Sequence, residues 1–411
     1  MIPQHTAKAI RRAPLPVFWG LRGPRAFLDR ITEKLSSVRF LVVLIPAHGP
    51  EGLEARLDKH LAESTYWKSK ALRIAGGSTA LAQLAGALKL ERGSEAKLLS
   101  DGSGSQQVFV LSPADSGAFS RIGDLARELK GTQGPRFIVV ADHGHAWQKL
   151  KGEQVGVLEW QGVLHASDIN LYAAHLFERR SAPHQTRLLE NLVVEMGGAD
   201  IGLQHLLCEL GDSELLDIES RLKAMVDADR QRYSQFSIEH GTLDSVDGIE
   251  WRHPLATICA AMQAQSDDPI KAVSHQLWRA QVRSLMPWYY ERIEAMMKPL
   301  QPWIRLIDAY DGFVPREGEA RQEPREPSKV RGAAKHVSWK HNIKFPDWHR
   351  LIGILDKIVS ARNNLAHGDR LTPQEVNDFL ESVQQLINFR PTPESSVKSA
   401  VRVTYRGRPA S

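Results

Sequence analysis

Three short runs of hydrophobic residues stand out in the first part of the chain. Each is almost continuously apolar, and they span Arg39–Ile45, Val108–Leu111 and Phe137–Asp142. Such runs are typical of strands that are buried on both faces of a parallel sheet. Segments with helical periodicity alternate with them, near 51–62, 79–90 and 115–130. We therefore predict an α/β domain with a parallel sheet in three layers.

The 3.6-residue period of helices dominates the rest of the chain. One helix is predicted from Trp348 to Ala366, with an apolar stripe formed by Trp348, Ile352, Leu355, Val359 and Ala366. Gly368 predicts its end, and the capping box Thr372-Pro373-Gln374-Glu375 predicts the start of the next helix. A longer helix is predicted over Val273–Met297, with a kink at Pro287. These patterns predict an all-α C-terminal helical bundle.

Changes in pattern along the chain predict five segments. They are a flexible arm (1–24), the α/β domain (25–165), a helical middle region (166–268), the C-terminal helical domain (269–390) with a loop at 309–345, and a basic tail (391–411). The loop is predicted from prolines and charges between Gly312 and Val330.

Composition narrows the class of protein without defining it. The chain has 411 residues, 42% of them hydrophobic and 25% charged, which are ordinary values for a globular protein of two or three domains. Its two cysteines, Cys208 and Cys259, show neither metal spacing nor a disulfide framework, which fits a reducing cytosol. No run of 18 apolar residues predicts a membrane span. We expect a cytoplasmic protein without membrane contact.

Basic residues surround a tryptophan just before the last two predicted helices. Lys335, Trp339, Lys340 and Lys344 lie in a stretch, 329–344, that contains no acidic residue. Contacts from basic side chains to phosphates, together with stacking of bases on an aromatic ring, are how proteins bind single-stranded nucleic acid. The alternative is a solvated connector, and the sequence does not decide between the two.

The spacing Arg362-Asn363-Asn364-Leu365-Ala366-His367 places an arginine and a histidine at the predicted end of a helix. Histidine exchanges protons near neutral pH, and arginine stabilises negative charge on phosphate through its fixed donors. Arg362, Asn363 and His367 between two antiparallel helices resemble the motif of the HEPN superfamily. The resemblance covers roughly residues 270–390.

The resemblance implies a metal-independent endoribonuclease, active as a homodimer through the C-terminal domain. His367 would transfer the proton, Arg362 would stabilise the phosphorane and Asn363 would orient them. The sequence of residues 362–368, RNNLAHG, also resembles HEPN sequences of bacterial defence and toxin–antitoxin proteins. Many HEPN domains only bind partners, so a non-catalytic adaptor is the alternative. A simple cap at the helix C-terminus would also place cationic side chains there.

The turn after the first predicted strand is where a phosphate-binding P-loop would lie. A P-loop needs a Gly-rich turn, then Lys and Ser or Thr. The turn 46–54 has no Lys, Ser or Thr, and it contains Glu51 and Glu54. The run that ends at Asp142 faintly resembles the Walker B strand of AAA/STAND NTPases. We therefore predict a degenerate NTPase-like domain that binds no cofactor and docks or senses a protein partner.

Two histidines after the third run raise the question of a metal site. Asp142, His143 and His145 could bind a metal, and His165 and Asp168 could join them only if the fold brought them near. Histidines with this spacing in a loop are more often polar loop residues, so we predict no metal.

Overall fold

The structure, a computed structural model, divides into two compact units, Met1–Val273 and Ser274–Ser411. We call them the N-terminal unit and the C-terminal unit. The residues that it describes are 14–46, 49–64, 66–74, 79–87, 105–113, 116–129, 133–142, 150, 155–178, 186–231, 233–234, 243–246, 249–309, 324–341 and 347–390.

A five-stranded parallel sheet lies at the centre of the N-terminal unit. Its strands are β1 (Phe40–Ile45), β2 (Lys68–Ile74), β3 (Gln107–Pro113), β4 (Arg136–Asp142) and β5 (Val155–Glu159), in the spatial order β2-β3-β4-β1-β5. In the register, Val42 lies opposite Val139 on one side and Val157 on the other. The predicted parallel α/β domain is confirmed, and the three predicted runs are β1, β3 and β4.

The central strand β1 is buried on both of its faces. Phe40, Val42 and Leu44 belong to a core that includes residues of the helices on one side of the sheet, while Leu41 and Val43 on the other face are also fully buried. The helices around and beyond the sheet are α1 (Arg22–Ser37), α2 (Leu53–Glu63), α3 (Ala80–Ala87), α4 (Ser116–Glu128), α5 (Ala166–Phe177), α6 (Thr186–Gly197), α7 (Ile201–Cys208), α8 (Asp212–Leu216), α9 (Ile218–Ala228) and α10 (Pro254–Gln263). A hairpin of β6 (Leu243–Val246) and β7 (Ile249–Arg252) precedes α10.

The segment before α1 is packed, which corrects the predicted flexible arm for residues 14–24. A 3-10 turn, Pro16–Gly20, buries Phe18 and Trp19, and Phe18 packs edge-on against Tyr172. The carboxylate of Asp168 accepts hydrogen bonds from the backbone N–H groups of Arg22 and Gly23. Residues 1–13 of the predicted arm lie outside the described residues.

The described elements of the C-terminal unit are helices, as predicted. Its helices are α11 (Ser274–Glu291), α12 (Ile293–Met297), α13 (Gln301–Ala309), α14 (Pro327–His341), α15 (Trp348–His367) and α16 (Pro373–Ile387), with a 3-10 turn at Lys298–Leu300. Pro287 lies inside α11, and the predicted long helix is interrupted at Arg292 instead.

Helix α14 falls inside the region 309–345 that the sequence predicts to be a loop. Pro327 stands at its first position, where proline favours a helix start, and it is buried there. Residues 310–323 and 342–346 lie outside the described part of the chain. In the described residues, no helix is long and apolar enough to cross a membrane.

Candidate functional site

The predicted motif forms the end of α15, and the local geometry explains why the helix stops there. Gly368 has φ +93°, a left-handed conformation that suits glycine. The N–H of Asp369 donates to the carbonyl oxygen of Asn364 at 2.9 Å, and the N–H of Gly368 donates to that of Leu365 at 3.4 Å. This pair of bonds is a Schellman motif. His367 is therefore the last helical residue, and its side chain is exposed.

Arg362 is half-buried and links α15 to the start of α14. Its Nη2 lies 3.8 Å from Oε2 of Glu326, and its Nη1 donates to Oδ1 of Asn363 at 3.2 Å. Its Nε is buried without a hydrogen-bond partner among the described residues. Burial raises the pKa of the neighbouring Tyr289 to about 12, and the charge of Glu326 adds to that rise. Arg362 thus lies in a partly enclosed position with a loosely bound carboxylate.

The structure brings Arg362 and Asn363 together but leaves His367 apart. Five residues along a helix correspond to a rotation of about 140° and a rise of about 7.5 Å. In the described part of the chain, no hydrogen bond or ion pair joins Arg362 to His367. Within a single copy of the chain, the described contacts therefore do not join Arg362 directly to His367.

Two residues of α11 fix the position of the motif, and the sequence analysis missed them. The indole N–H of Trp278 donates to the carbonyl oxygen of Leu365 at 2.7 Å. The amide of buried Gln281 donates to the carbonyl oxygen of Leu371 at 2.8 Å and accepts from its N–H at 2.7 Å. A glutamine between the buried positions of a helix is the signal that could have identified this contact.

Most aromatic residues of α11 and α13 are covered within the chain. Tyr289 and Trp303 are 1% and 3% exposed, and Trp278 and Trp288 are partly buried. Tyr290, at 47%, is the exposed one of this group. Exposed aromatic side chains on α11 and α13 therefore give little reason for the predicted homodimer.

The predicted nucleic-acid-binding residues lie on α14. Trp339 is 83% exposed, and Lys335 and Lys340 are exposed beside it. Lys335 forms an ion pair with Asp356 of α15 at 2.8 Å, and Arg331 hydrogen-bonds to the same carboxylate. Burial raises the pKa of Asp356, but the hydrogen bonds from Lys335 and Arg331 outweigh burial and bring it below its ordinary value. Lys344 lies outside the described residues.

The parallel sheet has a second position of interest, at the carboxyl ends of β1 and β4. The connection after β1 leads to β2 on one side of the sheet, and the connection after β4 leads to β5 on the other side. α/β sheets bind ligands in the crevice at such a point. After β1, Gly52 is the N-cap of helix α2, and in the first turn of that helix Glu54 accepts a hydrogen bond from Ser112 of β3 at 2.7 Å. A carboxylate here repels the phosphates that a helix N-terminus otherwise attracts. The residues present do not fit a nucleotide.

Asp168, one of the candidate metal ligands, is already occupied by backbone groups. The carboxylate of Asp168 is 1% exposed and is occupied by three backbone N–H groups, those of Arg22, Gly23 and His165. The side chain of Asp142, together with His143 and His145, lies outside the described residues. Among the described ones, no group of three or more His, Cys, Asp or Glu side chains could bind a metal ion.

Comparisons with known proteins add little to this geometry. No protein-family model matches the chain, and no curated protein matches it. Among solved structures, it is similar to the Thermotoga maritima RuvB Holliday junction branch migration motor, at 13% identity over 62% of this chain and 98% of that one, with a TM-score of 0.29. It is also similar to Drosophila ORC bound to DNA, at 13% identity over 94% and 76% of the two chains, with a TM-score of 0.27. At these TM-scores the likenesses support no argument about function.

Proposed function

We propose that the C-terminal unit cleaves RNA, with Arg362, Asn363 and His367 as the catalytic residues of a site shared between two copies of the chain. The observation that supports this most is an exposed imidazole at the end of α15 that has no partner among the described residues. It lies within one and a half turns of an arginine whose carboxylate partner is loosely held. The HEPN-like motif suggests the same chemistry.

The reaction needs only the RNA, these side chains and water. The 2′-oxygen attacks the adjacent phosphorus while His367 accepts its proton, and the bond to the 5′-oxygen breaks. The leaving oxygen takes a proton from water, and the hydroxide that remains takes the proton back from His367. The products are a 2′,3′-cyclic phosphate and a 5′-hydroxyl. Arg362 stabilises the charge that develops on the phosphorane oxygens.

Arg362 is available for this role because its ion pair is weak. A half-exposed pair at 3.8 Å contributes on the order of 1 kcal/mol or less. A phosphate that carries a full charge and accepts two parallel hydrogen bonds can replace Glu326 at the guanidinium.

Two copies are required because Arg362 and His367 point about 140° apart around their helix. A two-fold dimer through the C-terminal units would place Arg362 of one copy opposite His367 of the other, twice. The N-terminal unit, whose crevice is occupied by Glu54 and Ser112, would then dock a protein partner that controls the nuclease, as in a bacterial defence or toxin system.

Mixing two inactive variants tests this shared site. Arg362→Ala and His367→Ala should each abolish cleavage when purified alone. After mixing and exchange of subunits, about a quarter of the wild-type rate should return, because about half of the dimers are mixed and each contains one intact site. No recovery, with subunit exchange verified by light scattering and labelled chains, would contradict a site built from two copies.

A non-catalytic adaptor is the second candidate, and one observation favours it. Arg362 already has partners in Glu326 and Asn363, so it can act as a structural link between α14 and α15. In that case the C-terminal unit would dimerise or bind a partner protein. Glu326→Gln separates the two functions: it should leave a nuclease active, since it frees Arg362, and should destabilise a purely structural link.

A further inference from the structure

Helix α14 has one face buried in the bundle and an opposite face that exposes a tryptophan. Its apolar residues Val330, Ala334 and Val337 are all buried in the bundle. Trp339 lies roughly opposite this stripe, at about 180° around the helix axis, and is 83% exposed. It is the largest exposed fraction of any big hydrophobic side chain in the described part of the chain.

Positive charge flanks Trp339 on both sides. Around the helix axis, Lys335 lies on one side of Trp339, and the exposed Lys329 and Lys340 lie on the other, with Lys329 about 15 Å nearer the start of the helix. Arg331 and Lys335 share the single carboxylate of Asp356, so that cluster keeps a net positive charge. The helix itself, Pro327–His341, contains no acidic residue.

Gly332 leaves open space on the same face. A Cβ at this position would meet no atom within 4 Å. Gly332 precedes Trp339 by seven residues, about two turns, so a flat group stacked on the indole could continue along the helix over Gly332 without a clash.

From these features we infer that the exposed face of α14 binds single-stranded RNA, with Trp339 as a platform on which a base stacks and Lys329 and Lys340 as phosphate contacts. Base stacking on an aromatic ring, with lysines along the backbone path, is the arrangement that single strands need and that a duplex cannot use. That the strand is RNA rests on the proposed nuclease function; the stacking surface itself does not.

The surface also leads toward the proposed catalytic residues. Glu326, just before α14, contacts Arg362, and Trp339 lies 13 residues further along, about 20 Å away. At the ~3.4 Å spacing of a stacked strand this corresponds to about six nucleotides. Glu326 and Trp339 also lie about 140° apart around the helix, so a strand bound on α14 would place its scissile phosphate at Arg362 at least about six nucleotides from the base on Trp339.

A membrane surface is a poorer occupant of this face. An interfacial helix inserts a continuous apolar face into lipid, whereas the apolar face of α14 is already buried within the bundle. The exposed face offers one tryptophan and hydrophilic neighbours, which suits stacking and phosphate contacts.

The test is binding of a fluorescein-labelled 12-nucleotide oligouridine to the full chain, measured by anisotropy. His367→Ala is present throughout, so that no cleavage occurs. Trp339→Ala should weaken binding about 10-fold, and Trp339→Phe should stay within about 3-fold, because it keeps a ring for stacking. Tyr290→Ala, an exposed aromatic on α11, is the matched control and should change nothing. Lys340→Ala should lower the slope of log affinity against log salt by about 0.7.

Each other outcome overturns the inference. Unchanged affinity of Trp339→Ala, equal affinity for a 12-base-pair duplex, or Trp339-dependent binding to phosphatidylserine vesicles in place of RNA would each do so. The nuclease is judged separately by cleavage in the protein that retains His367. Trp339-dependent binding without any cleavage would leave this surface standing and remove the nuclease. Cleavage that is unaffected by Trp339→Ala would remove the surface and leave the nuclease.

Discussion

A single buried carboxylate, Asp168, holds the start of α1 against the start of α5. Its oxygens accept from the N–H groups of Arg22, Gly23 and His165, at 3.0, 3.0 and 3.1 Å. Asp168→Asn turns one acceptor oxygen into a donor that faces backbone donors. We expect it to lower the free energy of unfolding by about 2–3 kcal/mol, measured by urea denaturation of the full chain together with hydrogen exchange across α1.

The matched control is Asp124→Asn on α4. Asp124 pairs with Arg127, and its side chain is 60% exposed, so its loss should cost less than about 1 kcal/mol. Equal unfolding midpoints for Asp168→Asn and wild type would show that the three hydrogen bonds do not stabilise this junction.

For single residues, the sequence identifies which residue types stand at a helix end better than it identifies which residues contact one another. The motif spacing correctly places His367 at a helix end before Gly368, because capping chemistry is local. It cannot reveal that Glu326, 36 residues earlier in the chain, lies beside Arg362. It also does not show that Ala366, predicted to lie on the buried stripe, is exposed. Contacts of this kind depend on how helices pack.

Among the helices, the contact between α11 and the turn after α15 is the one most open to a direct test. Gln281 satisfies both the N–H and the carbonyl of Leu371, which is buried. Gln281→Leu leaves both groups unpaired, and we expect a loss of about 2–4 kcal/mol. Thermal and urea denaturation measure it. Gln385→Leu, at an exposed position of α16, is the control and should change stability by less than about 0.5 kcal/mol. A loss no larger for Gln281→Leu than for the control would refute the contact.

The elements that the sequence predicts are those with a strong local pattern. β1, β3 and β4 are buried strands and therefore appear as apolar runs. β2 was missed because it is an edge strand with exposed Lys68, Lys70 and Arg73, a composition that protects an edge from pairing. α14 was missed because it buries only a narrow stripe and begins with Pro327, which the sequence analysis interpreted as a loop signal.

The residues after β1 predict that the N-terminal unit, and with it the whole molecule, does not bind a nucleotide there. Glu54 is hydrogen-bonded to Ser112 where a phosphate would approach the start of α2. Calorimetry with Mg·ATP should therefore give no saturable heat, and 1 mM ATP, about 100 times a 10 µM Kd, should not provide the stabilisation of about 2.7 kcal/mol that such a ligand would give. Saturable binding in the micromolar range would contradict this prediction.

The proposed activity of the assembled protein is that of a ribonuclease. The most direct measurement is incubation of the purified chain with labelled single-stranded RNA in EDTA, followed by analysis of the product ends. The account predicts cleavage that EDTA does not inhibit, with 2′,3′-cyclic phosphate and 5′-hydroxyl ends, because His367 and Arg362 act on the 2′-hydroxyl of the RNA itself. His367→Ala and Arg362→Ala should each lose that activity, most simply by more than about 100-fold, while keeping the wild-type unfolding midpoint. Cleavage that persists undiminished in both folded variants would contradict the account.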